Sequence, residues 1–176
     1  MRVFRGHSRP VPAPVVLAIG NFDGVHLGHA ALIRRLAEVA ENSRLAPTVL
    51  TFEPHPREFF APESAPARLT TLREKLELLG DSGVAQAMIC PFNAAFSALS
   101  ADAFIEQVLV RGCQVRHLII GDDFRFGRGR TGDFALLHEA GQRFGFTVEA
   151  MGSVTVDDER VSSSAIRHKL TAGDVA

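Results

Sequence analysis

The chain alternates short apolar runs with segments whose apolar residues recur every three or four positions. The run 15–19 is uninterrupted and of strand length, as a strand covered on both faces would be. A loop over 20–27 follows, then a helix predicted over 28–40, with Leu32, Ile33, Leu36 and Val39 on one face. Residues 48–53 read as a second strand, closed by Pro54 and Pro56. Thr71 and Glu74 form a T-x-x-E capping box for a helix presenting Leu72, Leu76 and Leu79. Residues 86–90 form a third strand, and Ser100 caps a helix carrying Phe104, Ile105, Val108 and Leu109. A fourth strand over 117–120 ends at Gly121. Asp133 caps a helix that stops at Gly145, and 147–151 is a fifth strand. A last helix starts after Ser162–Ser164 and frays toward Gly173. The Pro- and Ala-rich stretch 54–68 is predicted to be a loop or flap.

This order predicts an α/β fold, a parallel sheet with helices on both faces. Ligands in such folds bind beyond the C-terminal ends of the strands. The loops after Ile19, Phe52, Cys90 and Ile120 should therefore share one mouth.

Length and composition narrow the class. The 176 residues suffice for one domain with its own core. The net charge of −1 gives no general basic field, so no nucleic-acid partner is expected. No apolar run reaches the roughly 18 residues of a membrane span, and the first 14 residues contain no apolar core of a secretory signal. Cys90 and Cys113 lie in or beside apolar runs without a C-x-x-C spacing. They read as reduced, buried thiols, and a cytoplasmic location is expected.

Candidate chemistry begins in the first loop, Gly20-Asn21-Phe22-Asp23-Gly24-Val25-His26-Leu27-Gly28-His29. Its glycines let backbone approach a ligand, and the free amides of the following helix suit phosphate. His26 and His29, three apart, can point the same way and donate to a polyphosphate. They also suit helix capping or zinc, although no third ligand stands at a familiar zinc spacing. The loop lacks the G-K-[ST] of a P-loop and is not G-x-G-x-x-G. Far downstream, Ser162, Ser163 and Ser164 with Arg167 suit either an anion at a helix start or an ordinary serine cap.

The motifs GNFDGVHLGH, TFEPHP, GDDFRFGRGRTGDF and VSSSAIR occur in this order. Together they resemble the N-terminal FMN adenylyltransferase module of bacterial bifunctional riboflavin kinase/FAD synthetases, in the nucleotidyltransferase superfamily. The likeness runs from about Val15 to Val175, with Ser164 where that family usually has Thr. It implies a Rossmann-like nucleotidyltransferase fold and transfer of AMP from ATP to FMN, giving FAD and pyrophosphate, with magnesium accompanying ATP. On this resemblance His26, His29, Ser162, Ser163 and Arg167 serve catalysis. Gly20, Asn21, Phe22, Asp23 and Gly24 bind ATP together with them and Ser164. Phe52, His55, Pro56, Phe60, Asp123 and Phe126 meet the flavin. No direct metal ligand is assigned. The family's kinase module follows the G-D-V matching Gly173–Val175, so a single adenylyltransferase domain without riboflavin kinase activity is expected. A superfamily relative with another phosphorylated acceptor, or a non-catalytic flavin- or nucleotide-binding module, is the alternative. The arginines of 121–130 could suggest RNA, but the charge balance favours a mobile loop whose arginines close on phosphate.

Overall fold

The computed structural model describes residues 1–174. Strands β1 (Arg2–Arg5), β2 (Val15–Ile19), β3 (Ala46–Glu53), β4 (Gln86–Pro91), β5 (Val115–Gly121) and β6 (Thr147–Met151) form one sheet. Its order is β1-β4-β3-β2-β5-β6, and every pair is parallel. Helices α1 (Leu27–Ser43), α2 (Pro56–Phe60), α3 (Leu72–Asp81), α4 (Ala94–Ser97) and α5 (Ala101–Ala103) come before β5. Two more follow it: α6 (Phe134–Phe144) and α7 (Ser163–Ala172). A hairpin, β7 (Thr155–Val156) and β8 (Glu159–Arg160), stands outside the sheet.

The central strand β2 is apolar throughout because both of its faces are covered. Along β2, Val15, Leu17 and Ile19 enter one core and Val16 and Ala18 the other. The first core takes Phe104, Ile105, Val108 and Leu109 together with Leu137 of α6. The second takes Leu32, Ile33 and Leu36 of α1 and Leu79 of α3. Strand order reverses at β2, which pairs with β3 on one side and β5 on the other. A crevice opens at such a reversal, and the functional loops meet there.

The sheet and its two helical layers follow the pattern of apolar runs, and several details depart from it. A sixth strand, β1, adds the short sequence RVFR to the edge beside β4; only Phe4 of it packs on the core. The first helix continues to Ser43, with Ala40 buried and Val39 only partly so. The stretch 54–68 is not all loop. Pro56 starts α2, and the His55 imidazole and Glu58 carboxylate form a reciprocal cap there. The segment after Ser100 passes from α5 into a π-helix over Phe104–Gly112, whose last turn is closed by Cys113 N–H on the Val108 carbonyl. Apolar spacing does not separate this five-residue bonding from the ordinary four. Asp133, Gly145, Thr71 and Ser100 cap their helices as predicted, whereas the last helix starts within the serine run, at Ser163, with Ser162 as its cap. Of the Gly173–Val175 match, Val175 lies outside the described residues.

Candidate active site

A cavity of about 950 Å³ opens at the C-terminal ends of the strands. The four loops predicted to share a mouth do line it, through Gly20, His55, Phe92 and Asp122, and the segments 151–154 and 160–164 complete the wall.

The His26 side chain caps α1, its Nδ1 accepting the His29 amide at 3.4 Å. Gly28 leaves room for that imidazole, since a Cβ there would stand 3.2 Å from the ring. In the neutral ring the cap places the proton on Nε2. The His29 ring stacks on His26 at 3.7 Å between centroids and packs against Phe22. Burial lowers the pKa of both histidines. That of His29 falls to about 3, helped by its neighbour His26. Both imidazoles are therefore neutral donors at pH 7. His29 and Asn21 line the cavity, while His29 Nδ1 and Asn21 Oδ1 are themselves buried without hydrogen-bond partners.

Asp23 and Gly24 do not reach the cavity wall. The residue Asp23 is 4% exposed. It accepts the Leu69 and Thr70 amides, each at 3.0 Å, and pairs with the Arg167 guanidinium. Gly24 sits at φ +78 against Leu69, where a Cβ would come within 2.8 Å of that side chain. Burial alone would raise the Asp23 pKa. The two amides, Arg167 and the Thr70 hydroxyl more than reverse this, so the carboxyl titrates below its ordinary range. Arg167 also donates to the Ala67 carbonyl. One edge of its guanidinium is thus committed to structure, while the side chain still lines the cavity.

The three serines differ. Ser162 accepts the Ala165 amide at 3.1 Å, so its own O–H stays free. Ser163 donates to the Asp23 carbonyl at 2.9 Å, so its proton is engaged. Ser164 is exposed at the mouth.

His55, Pro56, Phe60, Phe52, Asp123 and Phe126 all line the cavity. His55 Nδ1 is held by the Arg57 amide. Phe60 is 67% exposed, an open aromatic face. Phe126 belongs to the core and packs on Phe104 and Phe124. Asp123 makes no backbone cap and instead pairs with Arg160 at 2.6 Å. The arginine-rich loop is more anchored than a free flap. Phe126 and Gly132 form an antiparallel bridge, and the Arg128 amide reaches Leu99.

Two features escaped the sequence reading. Phe92, Phe96, Phe104 and Phe124 join Phe52, Phe60 and Phe126 in an aromatic wall. Arg160 reaches the cavity from the hairpin. Phe92 had a usable signal, because it follows β4 in a loop predicted to line the mouth. Among the described residues, no group of three or more His, Cys, Asp or Glu side chains could hold a metal ion, and no helix is long and apolar enough to cross a membrane.

Comparison with known proteins gives the family. Residues 8–165 match the model described as FAD synthetase. The chain belongs to the FAD synthetase family. The bifunctional riboflavin kinase/FMN adenylyltransferase of Escherichia coli (strain K12) is 45% identical over 179 residues, covering 100% of this chain and 57% of that relative. The chain therefore spans little more than half the length of the curated relatives it matches. Among solved structures, a macrolide-efflux protein from Streptococcus pneumoniae superposes with TM-score 0.86 at 23% identity, covering 99% of this chain and 59% of that one. A pantoate-beta-alanine ligase from Francisella tularensis, complexed with beta-gamma ATP and beta-alanine, gives TM-score 0.58 at 10% identity, covering 94% and 72%. At these identities both likenesses concern the fold alone, the Rossmann-like α/β arrangement. Membership of the FAD synthetase family agrees with the resemblance carried by the four motifs.

Proposed function

We propose that this chain transfers AMP from ATP to FMN, forming FAD and releasing pyrophosphate. The observation that carries this reading is the union, in one cavity, of a stacked histidine pair at a helix N-terminus with a wall of phenylalanines. The first end suits phosphate and the second suits a flat isoalloxazine ring. Family membership supports the same reading.

An FMN phosphate oxygen attacks the α-phosphorus of ATP. A new O–P bond forms, the bond to the bridging oxygen breaks, and pyrophosphate leaves with the electron pair. The nucleophile is already an anion, so positioning and charge neutralisation carry the rate. His26 and His29 donate to the α-phosphate and the departing oxygen. The free hydroxyls of Ser162 and Ser164 and the start of α7 face the outer phosphates. Ser163 and one edge of Arg167 hold the first loop in place, and the other edge of Arg167 is left for phosphate. Gly20, Asn21 and the Phe22 backbone take the adenosine side. Phe52, Phe60, Phe126, His55 and Pro56 meet the flavin.

Asp122 and Asp123 are oxygen donors on the cavity wall, of the kind that suits a hydrated magnesium ion carried by a triphosphate. That ion, when bound, supplies neutralisation of phosphate charge. The free, buried Cys90 and Cys113 fit a reducing compartment, and a cytoplasmic setting is part of this proposal.

The test is incubation with ATP, magnesium and FMN, followed by chromatography. FAD in the mixture supports the reading, and recovery of unchanged FMN contradicts it.

A further inference from the structure

We propose that Arg160 is a phosphate-binding arm of this site, exchanging its partner Asp123 for a substrate phosphate. The proposal rests on the adenylyl-transfer reading above.

The placement comes from the hairpin. Asp157 and Asp158 turn it tightly, with φ of +51 and +62, and register sets Thr155 opposite Arg160. Arg160 ends β8, two residues before the Ser162 cap of α7. Its guanidinium spans to Asp123, just past the end of β5, and both side chains line the cavity. The arm thus reaches across between the start of α7 and the mouth of β5.

The two arginine–aspartate pairs of the site differ in one decisive respect. The Arg167 and Asp23 side chains are 17% and 6% exposed, and Asp23 is held further by Leu69 and Thr70. Removing Arg167 from Asp23 would leave a buried carboxylate short of its cation, which is costly. The Arg160 and Asp123 side chains are 53% and 65% exposed and joined by one contact. An exposed pair of this kind contributes little. A phosphate dianion offers the same guanidinium two parallel, charge-assisted hydrogen bonds. Exchange of partner is therefore easy for Arg160 and hard for Arg167. The reaction also brings two phosphate-bearing anions into one cavity, so a cation with an easily exchanged partner has a clear use there.

The shared chemistry is a substrate phosphate, from either the flavin nucleotide or the adenine nucleotide. Titration calorimetry of the wild type, Arg160→Ala and Arg160→Lys distinguishes these sources. Each protein is titrated with FMN, with riboflavin (the same ring without phosphate) and with ATP. We expect Arg160→Ala to lose about tenfold or more in affinity for FMN or for ATP. Riboflavin affinity should not change, and Arg160→Lys should recover part of the loss. A loss confined to FMN assigns the arm to the flavin phosphate, and a loss confined to ATP assigns it to the nucleotide. Unchanged binding of both, or an equal loss for riboflavin, overturns the proposal. The binding is read without turnover. A wild type that binds both ligands but makes no FAD overturns the adenylyl-transfer reading while the arm is still measured. A wild type that binds neither overturns both.

Discussion

Asp23 and Arg167, 144 residues apart in sequence, form a buried ion pair that ties the first loop to the last helix. Asp23→Ala should cost about 3–5 kcal/mol, because a largely buried guanidinium loses its partner. For a chain of this size the melting temperature should fall by about 6–20 °C. Thermal unfolding checks it. A shift of less than about 2 °C would show that the pair does not hold the loop.

The same carboxylate makes a pH prediction. Its pKa is lower in the folded state than in the unfolded chain. Its stabilisation is therefore fully present above the unfolded value of about 3.9 and lost as the pH falls through the folded value. Denaturant unfolding of the wild type and Asp23→Asn should differ by a constant amount above about pH 5 and converge below about pH 4. A gap that stays constant down to about pH 3 would contradict the assignment.

His29 should stay neutral across the physiological range, since burial and His26 hold its pKa at about 3. Its ring proton signals in NMR should not titrate between pH 8 and 5. A midpoint between about 6 and 7, the ordinary histidine value, would refute this. A rate that needed a preformed imidazolium at His29 would fall as pH rises from 5 to 7, and no such fall is expected from this group. His29→Ala should reduce turnover by about 10²–10³-fold while FMN still binds. Near-normal turnover would remove His29 from the chemistry.

Phe60 exposes its ring at the mouth. Phe60→Ala should weaken FMN binding by about 2–13-fold, the equivalent of one aromatic pair, and leave thermal stability nearly unchanged. Flavin fluorescence reports the binding. Unchanged affinity would place the flavin elsewhere on the aromatic wall.

Legibility followed the range of the forces involved. Thr71, Asp133 and Gly145 announce helix ends through local hydrogen bonds and backbone preference, and the structure puts them at those ends. Strand β2 is readable because both its faces are buried. The edge strand β1 and the β7–β8 hairpin are short and largely exposed, so no apolar pattern marks them. His26 and His29 stand out because they share one turn. The rest of the aromatic wall does not, because Phe92, Phe96, Phe104 and Phe124 join Phe52 only after the sheet has assembled. Neighbours in sequence likewise give no hint that Arg160 rests on Asp123 or that Asp23 turns inward.

On the proposed reaction AMP, and not the terminal phosphate, moves to FMN. Parallel reactions with ATP labelled at the α- or the γ-phosphorus, in the presence of FMN and magnesium, distinguish the two transfers. The α-label should appear in FAD and the γ-label in pyrophosphate. Label from the γ-position in a flavin product, or no labelled flavin from either ATP, would contradict that reaction.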